Sequence, residues 1–425
     1  MARMESSYGL LVSWDNLSDS CSSSGCSRMK KFLLLGYGLT NKAVEQFLIK
    51  KGYEVKVISD NEKESTISID DVKKEEYYCV VRSPGVSVHS KTYKYLKKMR
   101  MKMISEIELA YRFLNKKVTL IGVTGSNGKT TTVELICSVL SSRYQVYKAG
   151  NIGIPFISIL DKLQDGDMVV LELSSFQLED IDKLHLNVSI ITSLCPNHLD
   201  SVYNLSYYYN SKLNILQNRK KDDLFLTFLD NKEIDKALIN KKDVIDLSKY
   251  KIKIRKSKLL LKGNHNLNNI KVAYYLGEYF QIERKEIEDS IYNFNPLPHR
   301  LEIVGKCGKC LFINDSKATS VEATLTSLKV FKHKVLLIVG GKDKNLDYSK
   351  LEKYHPYVFG QIKDKIKTPY KYQNLQEVMK AVFANLKGVR TVLFSPATSS
   401  YDQFKNYEER GNVFKKICKE HLDEK

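Results

Sequence analysis

The segment GVTGSNGKTTT, from Gly122 to Thr132, carries the residues with the clearest chemical potential in the chain. It departs from the usual phosphate-binding loop because five residues, rather than four, separate Gly122 from Gly128. The apolar strand KVTLIGV precedes it and the helical apolar pattern TTTVELICSVLSSRY follows it, which is the context that such a loop requires. We therefore predict an ATP site in which Lys129 neutralises the β and γ phosphates and the Thr130 hydroxyl reaches Mg²⁺.

Two further strands end in residues that could bind a metal ion. The strand in DMVVLELSSFQLE delivers Glu172 near its end, and the strand VSIITSL leads to His198 and Asp200 in CPNHLD. Burying a lone carboxylate is costly, so we expect Glu172 to have a metal ion or another cation as its partner. A lone histidine often has only a structural role, but an acid two residues further on favours a metal ligand.

From Met29 onward, the N-terminal part repeats a rhythm of strand, turn and helix. KFLLLGYGLTNKAVEQFLIKKG reads as a strand, a glycine turn and a helix, and the next strand, YEVKVISDN, closes at Asp60. An acid at this distance is typical of dinucleotide sites, but Asn41 stands where the third glycine of that fingerprint belongs. We therefore predict a small parallel α/β domain that offers backbone N–H groups to a phosphate or diphosphate.

Several ordered motifs together resemble the ATP-dependent Mur ligase family, which builds the peptidoglycan stem peptide. These are the longer loop Gly-x-x-Gly-x-x-Gly-Lys-Thr, GNHNLNN, LPHRLE and NDSKATS. Five more segments resemble the branch that adds D-glutamate to UDP-N-acetylmuramoyl-L-alanine: SPGV, SEIELAYRF, AGNIGIP, ELSSFQLE and LFSPATSSYDQFKNYEERG. The resemblance extends from Met29 to the C-terminus.

The resemblance implies an α/β protein of three domains. They are an N-terminal Rossmann-like UDP-binding domain (29–105), a central P-loop ATPase domain with a parallel sheet (106–298) and a C-terminal Rossmann-like ligase domain (299–425). Two prolines in NFNPLPHR suit a hinge, and the strands HKVLLIVGG and RTVLFSPA independently indicate a C-terminal α/β unit. Residues 1–28 are serine-rich and read as a disordered leader or a misassigned start.

The implied reaction forms an amide bond through an acyl phosphate, with ATP and two Mg²⁺ ions. The implied catalytic residues are Lys129, His198, Lys212 and Lys317, and the implied metal ligands are Thr130, Glu172, His198 and Lys212, the last as a carbamylated lysine. The implied ATP contacts are Gly125, Ser126, Asn127, Gly128, Lys129, Thr130, Thr131, Asn266, Asn269, Arg300 and Asp315. One of the two asparagines could instead cap a helix. Cys195 and Asn197 stand where the family often carries an acid before the histidine.

The other two substrates have their own implied sets of residues. The UDP-sugar set comprises Leu39, Thr40, Asp60, Ser83, Gly85, Asn151, Ser174 and Gln177. The D-glutamate set comprises Thr319, Lys344, Ser400, Tyr401 and Tyr407. Two carboxylates need cations and hydroxyls, which suits Lys344, whereas Tyr407 could simply pack in the core.

Composition limits the alternatives. The net charge is +19, but the lysines are spread along the chain and there is no arginine-rich tract, so we expect no nucleic-acid partner. No apolar run is long enough to cross a bilayer, and eight cysteines in 425 residues fit a reducing compartment, so we expect a cytoplasmic protein. We also expect a monomer. Cys307 and Cys310 read as a turn between two strands rather than a zinc site.

Three competing interpretations remain. A related Mur-type or folylpolyglutamate-type ligase would share the ATP loop but lack the tail SPATSSYDQF. A nicotinamide-dependent oxidoreductase would depend on GYGLTN and not on Lys129. A basic, non-enzymatic binding module would show strongly salt-dependent affinity for nucleic acid.

Overall fold

The computed structural model describes residues 31–196, 203–238, 243–261, 264–295, 298–331 and 333–423. The predicted leader and the predicted ligand His198 lie outside the described residues. Three α/β units follow one another along the chain, each built around its own sheet, as the sequence predicts.

The first unit has a four-stranded parallel sheet in the order β2-β1-β3-β4. The strand β1 is buried on both faces, as expected for a parallel sheet covered on both sides. The strand order reverses between β1 and β3, and ligands of such sheets bind at the carboxyl ends of the strands at this point. The elements are β1 (Lys31–Leu35), α1 (Leu39–Lys50), β2 (Glu54–Ile58), β3 (Tyr77–Arg82), α2 (Lys91–Lys98) and β4 (Met103–Ser105).

The second unit has a six-stranded parallel sheet in the order β10-β9-β8-β5-β7-β6, so the strand before the phosphate loop, β5, lies inside the sheet. Its strands are β5 (Thr119–Thr124), β6 (Val146–Gly150), β7 (Met168–Glu172), β8 (Val188–Ile191), β9 (Leu224–Thr227) and β10 (Ile245–Asp246). Its helices are α3 (Glu106–Phe113), α4 (Lys129–Leu140), α5 (Ser175–Glu179), α6 (Leu205–Leu213), α7 (Lys232–Leu238), α8 (Asn264–Tyr279) and α9 (Arg284–Tyr292).

The third unit has a six-stranded sheet in the order β11-β12-β16-β13-β14-β15, in which β11 is antiparallel to β12 and the other pairs are parallel. Cys307 faces Cys310 across the first hairpin, which confirms the predicted turn. Its strands are β11 (Glu302–Cys307), β12 (Cys310–Asn314), β13 (Leu336–Gly340), β14 (Tyr357–Phe359), β15 (Lys371–Tyr372) and β16 (Thr391–Phe394). Its helices are α10 (Val321–Leu328), α11 (Ser349–Glu352), α12 (Leu375–Ala384) and α13 (Tyr407–Asp423).

The apolar cores are distributed unevenly among the units. One cluster is shared by the first and second units and includes Phe32 and Phe47 from the first and Phe156 and Leu171 from the second. Two further clusters lie in the third unit and contain only residues from 301 onward. Within the described part of the chain, no helix has both the length and the apolar character that crossing a membrane requires.

Candidate active site

The phosphate loop lies between β5 and α4 and takes its shape from two glycines. Gly125 and Gly128 have φ values of 144° and 86°, which favour glycine. A Cβ on Gly125 would lie 2.1 Å from Thr192 Oγ1, and one on Gly128 would lie 2.8 Å from Asn269 Oδ1. The helix α4 begins directly after Gly128 and has no side-chain cap, so its first N–H groups are suited to phosphate oxygens.

Residues that follow β8 hold this loop in place, and two of them, Thr192 and Ser193, have no role predicted from the sequence. The Ser193 hydroxyl accepts a hydrogen bond from Asn127 N at 3.0 Å, and Thr192 Oγ1 donates to Asn127 O at 2.6 Å. Ser126 Oγ donates to Cys195 O at 2.8 Å. The only sequence signal for this brace is a polar step directly after an apolar strand.

Cys195 does not replace the acid that the family often carries near this position. Burial raises the pKa of its thiol to about 11, so the side chain is neutral at physiological pH. Its backbone accepts from and donates to Ser126 Oγ, which makes it part of the brace.

Two lysine amines converge on one carbonyl of the phosphate loop. Lys129 Nζ donates to Gly125 O at 2.9 Å, and Lys212 Nζ donates to the same oxygen at 3.1 Å. Lys212 is only 2% exposed and lies 4.6 Å from the centre of the Tyr208 ring. Burial lowers the pKa of both amines, and the charge of Lys129 lowers the pKa of Lys212 further. The arrangement therefore favours a neutral amine at Lys212.

Glu172 reaches the same edge of the sheet from the end of β7, which pairs with β5 so that Val123 faces Glu172. The side chain is 3% exposed, and its Oε1 accepts from Asn151 Nδ2 at 3.1 Å. Its Oε2 is buried and has no hydrogen-bond partner among the described residues. A buried carboxylate oxygen in this state fits a divalent cation.

A cation at Glu172 would need ligands beyond the carboxylates and histidines that the structure describes. Among all the residues that the structure describes, no cluster of three or more His, Cys, Asp or Glu side chains is arranged to hold a metal ion. Thr130, in the first turn of α4, adds a hydroxyl beside the phosphate loop. The residues present therefore fit an ion that also binds phosphate oxygens, as Mg²⁺ does in nucleotide sites.

Asn266 and Asn269 lie within α8 and brace the far side of the loop. Thr132 Oγ1 donates to Asn269 Oδ1 at 3.1 Å, and Asn269 Nδ2 donates to Asn266 Oδ1 at 3.0 Å. The helix begins at Asn264, so the alternative that one of these two asparagines caps it is wrong. The remaining predicted loop residue, Thr131, is buried in the first turn of α4.

A cavity of about 100 Å³ opens between the first and second units. Four residues of the predicted UDP-sugar set line it: Leu39, Thr40, Asn151 and Gln177. Ser174 and Gln177 also form the capping box of α5, so they have a structural role as well. Pro84 is in the lining, which places its neighbours Ser83 and Gly85 beside the cavity.

Asp60 of the same set has a partner within the first unit. Its Oδ1 accepts from Thr92 N at 3.1 Å and from Thr92 Oγ1 at 2.6 Å, at the start of α2. Burial alone would raise the pKa of this carboxyl, but the hydrogen bonds from Thr92 lower it overall. Asp60 therefore remains ionised and holds α2 in place.

Asn41 explains why the glycine fingerprint is incomplete. Its Nδ2 is within hydrogen-bond distance of three carbonyl oxygens, those of Leu35 at 3.1 Å, Gly36 at 2.7 Å and Val81 at 3.1 Å. The side-chain amide thus joins the ends of β1 and β3 at the point where the strand order reverses. A glycine at this position could not make this connection.

The third unit brings cations towards the phosphate loop. Lys317 Nζ lies 3.6 Å from the centre of the Tyr407 ring, and burial, followed by the charge of Arg300, lowers the pKa of Lys317 to about 8. The charges of Glu172 and Lys129 also act on Lys317. The charge of Arg300, in turn, contributes to the lowered pKa of Lys129.

Asp315 and the residues around Arg300 form the base of this region. Asp315 Oδ2 accepts from Ser327 Oγ at 2.6 Å and from Ser395 Oγ at 2.8 Å, and burial raises its pKa to about 6. His299 and Leu301, on either side of Arg300, have φ values of 61° and 49°. Positive φ is uncommon outside glycine, and for a bulky side chain such as Leu301 it is unfavourable, so the backbone beside Arg300 is strained.

The structure brings together only part of the predicted D-glutamate set. Lys344 Nζ donates to Thr319 O at 3.2 Å, which joins two of its members. Ser400 is buried, but Tyr401 is 69% exposed. Tyr407 lies against Lys317 and His299, so it packs on the predicted ATP side of the third unit.

Comparisons with known proteins agree with this architecture. Residues 123–262 match the family description Mur ligase middle domain. The MurF ligase of Thermotoga maritima, solved in complex with ADP, superposes with a TM-score of 0.56 at 17% identity and covers 83% of this chain and 92% of its own. The UDP-N-acetylmuramate-alanine ligase MurC of the same organism has a TM-score of 0.54 at 18% identity, over 93% of this chain and 100% of its own. These two structures support the fold.

Sequence relatives give the family. The UDP-N-acetylmuramoylalanine–D-glutamate ligase of Fusobacterium nucleatum subsp. nucleatum is 34% identical over an alignment of 432 positions, which covers 92% of this chain and 99% of the relative. The enzyme of the same name from Aquifex aeolicus is 34% identical over 415 residues, covering 91% and 98%. The chain therefore belongs to the Mur ligase family, in the branch of the UDP-N-acetylmuramoylalanine–D-glutamate ligases.

Proposed function

We propose that this chain joins D-glutamate to UDP-N-acetylmuramoyl-L-alanine in an ATP-driven reaction, as an amide-forming ligase of peptidoglycan precursor synthesis. One convergence carries the proposal: a phosphate loop, the buried Glu172 Oε2 and the paired amines of Lys129 and Lys212 meet at one sheet edge. The family relatives are named for the same two coupling partners. The chain would act as a monomer in the cytoplasm, where ATP is present.

The reaction has two chemical steps. The alanyl carboxylate oxygen attacks the γ-phosphorus of ATP, the bond to the β–γ bridging oxygen breaks, and ADP leaves behind an acyl phosphate. The amine of D-glutamate then attacks the acyl carbon, loses a proton, and expels inorganic phosphate from a tetrahedral intermediate.

The residues of this chain bind and orient the reactants. The N–H groups of the loop and of α4 hold the phosphates, and Lys129 neutralises charge that develops on them. Two Mg²⁺ ions, one held by Thr130 and a second held by Glu172 and, as the resemblance implies, by His198 and Lys212, would supply further charge neutralisation. Lys317 and Arg300 approach from the third unit, so the site is complete only when that unit is close, which also excludes water from the acyl phosphate.

Lys212 is proposed to carry a carbamate. Its neutral amine would attack the carbon of CO₂ and release a proton, so that the nitrogen bears a carboxylate. The support is the lowered pKa of an amine that shares Gly125 O with Lys129. An anion at Lys212 would turn a repulsive pair into an attractive one and would add an acid-like ligand beside Glu172. Loss of activity in Lys212→Ala and partial recovery with short-chain carboxylic acids would support the carbamate, and failure of recovery would count against it.

A phosphate-release assay tests the function. The purified chain receives ATP, Mg²⁺ and UDP-N-acetylmuramoyl-L-alanine, and only the amino acid is varied among D-glutamate, L-lysine and L-alanine. Release with D-glutamate alone is the expected result, and preference for another amino acid would assign the chain to a different ligase. Lys129→Ala should abolish this release while the protein stays folded, and near-normal turnover would refute the loop assignment.

A further inference from the structure

Arg410, on α13, lies in the interior of the third unit and is 0% exposed. Its guanidinium donates hydrogen bonds to the loops after β12 and β16 and to the last residue of β13. Nε donates to Ser316 Oγ at 3.1 Å and Nη2 to Ser316 O at 2.8 Å. Nη1 donates to Gly340 O at 3.1 Å and to Thr398 O at 3.0 Å.

The surroundings of this cation are unusual for a side chain that only fills a core. Its hydrogen-bond partners are carbonyl oxygens and a hydroxyl rather than a carboxylate. Burial lowers the pKa of Arg410 to about 9, although the charge of Asp402 acts in the opposite direction, so the guanidinium is still charged at neutral pH. Burying a charge in this way is unfavourable compared with an apolar side chain of similar size, so stability alone does not account for it.

The three loops are those that carry the predicted substrate residues of the third unit. They follow β12, β13 and β16, which are neighbours in the sheet. The first loop carries Thr319 and the predicted catalytic residue Lys317, the second carries Lys344, and the third carries Ser400.

The loops pack against Arg410 and against one another without spare room. Gly341 has φ of 142°, and a Cβ there would lie 2.9 Å from Arg410 Nη1 and 2.1 Å from Ser399 O. Lys342 N donates to Ser399 O at 2.8 Å, which joins the second loop to the third. A change in the reach of the Arg410 side chain therefore alters all three loops together.

We propose that Arg410 is a positioning residue for the amino-acid substrate, acting through Ser316, Gly340 and Thr398. D-glutamate presents two carboxylates and an amine, so the cation and hydroxyls that bind it must keep fixed separations although they lie on different loops. Arg410 sets those separations from behind and does not touch the substrate. This inference rests on the proposed function.

The test compares Arg410→Lys and Arg410→Met with Lys416→Met in the full-length chain. Lys416 lies on the exposed side of the same helix and pairs with Glu420 Oε1 of that helix at 3.8 Å. Lysine keeps the charge but cannot reach three acceptors in a fixed fork. We expect Arg410→Lys to raise the KM for D-glutamate by about tenfold or more, since small displacements of a substrate site reduce efficiency strongly. The KM for the nucleotide sugar should not change, because its predicted residues lie in the other two units.

This comparison separates positioning from general damage. A variant that is merely less well folded loses kcat in proportion to the folded fraction and keeps its KM values. An unchanged KM for D-glutamate in folded Arg410→Lys would overturn the inference, as would an equal effect in Lys416→Met. If Arg410→Met does not fold, Arg410→Lys decides the question.

Hydrogen exchange gives a readout that does not depend on activity. The Arg410→Lys chain should exchange faster than wild type in residues 315–319, 341–344 and 398–401, and at the same rate in the phosphate loop. Unchanged protection in these segments would overturn the inference. An inactive wild-type chain would instead count against the proposed function, and the exchange result would still decide the role of Arg410.

Discussion

The junction between the first and second units differs from the junction between the second and third units in the kind of interaction that forms it. The first and second units share an apolar cluster, and Arg82 of the first lies 2.7 Å from both Glu179 Oε2 and Asp180 Oδ2 of the second. The contact with Glu179 is a hydrogen bond, and that with Asp180 is a charge contact. The third unit, by contrast, keeps its apolar clusters to itself and approaches the second with Lys317 and Arg300.

The first junction should therefore be stable without a ligand, whereas the second should depend on one. Apolar burial and paired charges hold the first junction without any substrate. At the second junction, the charges of Arg300, Lys129, Glu172 and Glu408 all act on Lys317, so three cations stand against two carboxylates and the local charge is positive. A triphosphate would add negative charge here, so we expect nucleotide binding to favour closure of the third unit.

Lys317→Met should give the largest effect, and it acts at the second junction. Turnover should fall by about 10²–10³-fold, the range found when one preorganised charge donor is removed from an active site. The free energy of unfolding should not fall, because burial disfavours the ammonium in the folded chain. Phosphate release and urea unfolding measure the two quantities. Lys306→Met, an exposed lysine on β11, is the control, and a large loss of stability in Lys317→Met would contradict the comparison.

Arg82→Met, at the first junction, should instead act mainly on stability. Removing the cation leaves the carboxylates of Glu179 and Asp180 buried without it, which typically lowers the free energy of unfolding by about 3–5 kcal/mol. Urea unfolding measures this loss. The KM for the nucleotide sugar should also rise, because Arg82 ends the strand before Ser83 and Pro84 at the cavity. Wild-type stability in this variant would show that the apolar cluster alone holds the junction.

The pH dependence should identify Lys317 as a charged group of the second junction. With a pKa of about 8, its charge is lost as the pH rises through 8, so kcat/KM should fall above that pH. Stability moves the other way: from about pH 8 to the ordinary lysine pKa of about 10.4, the unfolded chain binds more protons at this residue, so its contribution to stability rises with pH. Lys317→Arg keeps its charge and should move the fall in kcat/KM to higher pH. An unmoved profile would assign the fall to another group.

Lys50→Ala should give the smallest effect, although it also lies at the first junction. Lys50 Nζ is 2.6 Å from Asp161 Oδ2, but the two side chains are 69% and 52% exposed. Exposed pairs contribute about 0–1 kcal/mol, so urea unfolding should detect little change. A loss comparable to that of Arg82→Met would mean that surface charge, rather than burial, holds this junction.

Local patterns predicted the parts of the fold that depend on neighbouring residues. The strand, loop and helix around Lys129 follow from apolar periodicity and glycine spacing, and Glu172 ends its strand as predicted. The helix α4 nevertheless ends at Leu140, whereas the pattern TTTVELICSVLSSRY predicted a longer one. Ser142 Oγ donates to Val139 O at 2.9 Å, and such competition with backbone hydrogen bonds is typical of serine at helix ends.

Contacts between segments that lie far apart along the chain could not be predicted from the sequence. Asn41 reaches Val81, and Arg410 reaches Ser316, 94 positions away, so neither role has a local signature. The Tyr407 ring lies against Lys317, because α13 passes behind the loop after β12, and this contact has no local signature either; its place at the amino-acid substrate stays a prediction. Side-chain direction across loops depends on the packed structure, which residue spacing alone does not encode.

The separate cores of the third unit have a thermodynamic consequence. A segment whose apolar interior contains only its own residues can melt on its own, so calorimetry of the substrate-free chain should resolve two heat-absorption peaks, one for residues 299–425 and one for the remaining units together. A bound nucleotide that bridges the second junction would draw the two peaks towards each other.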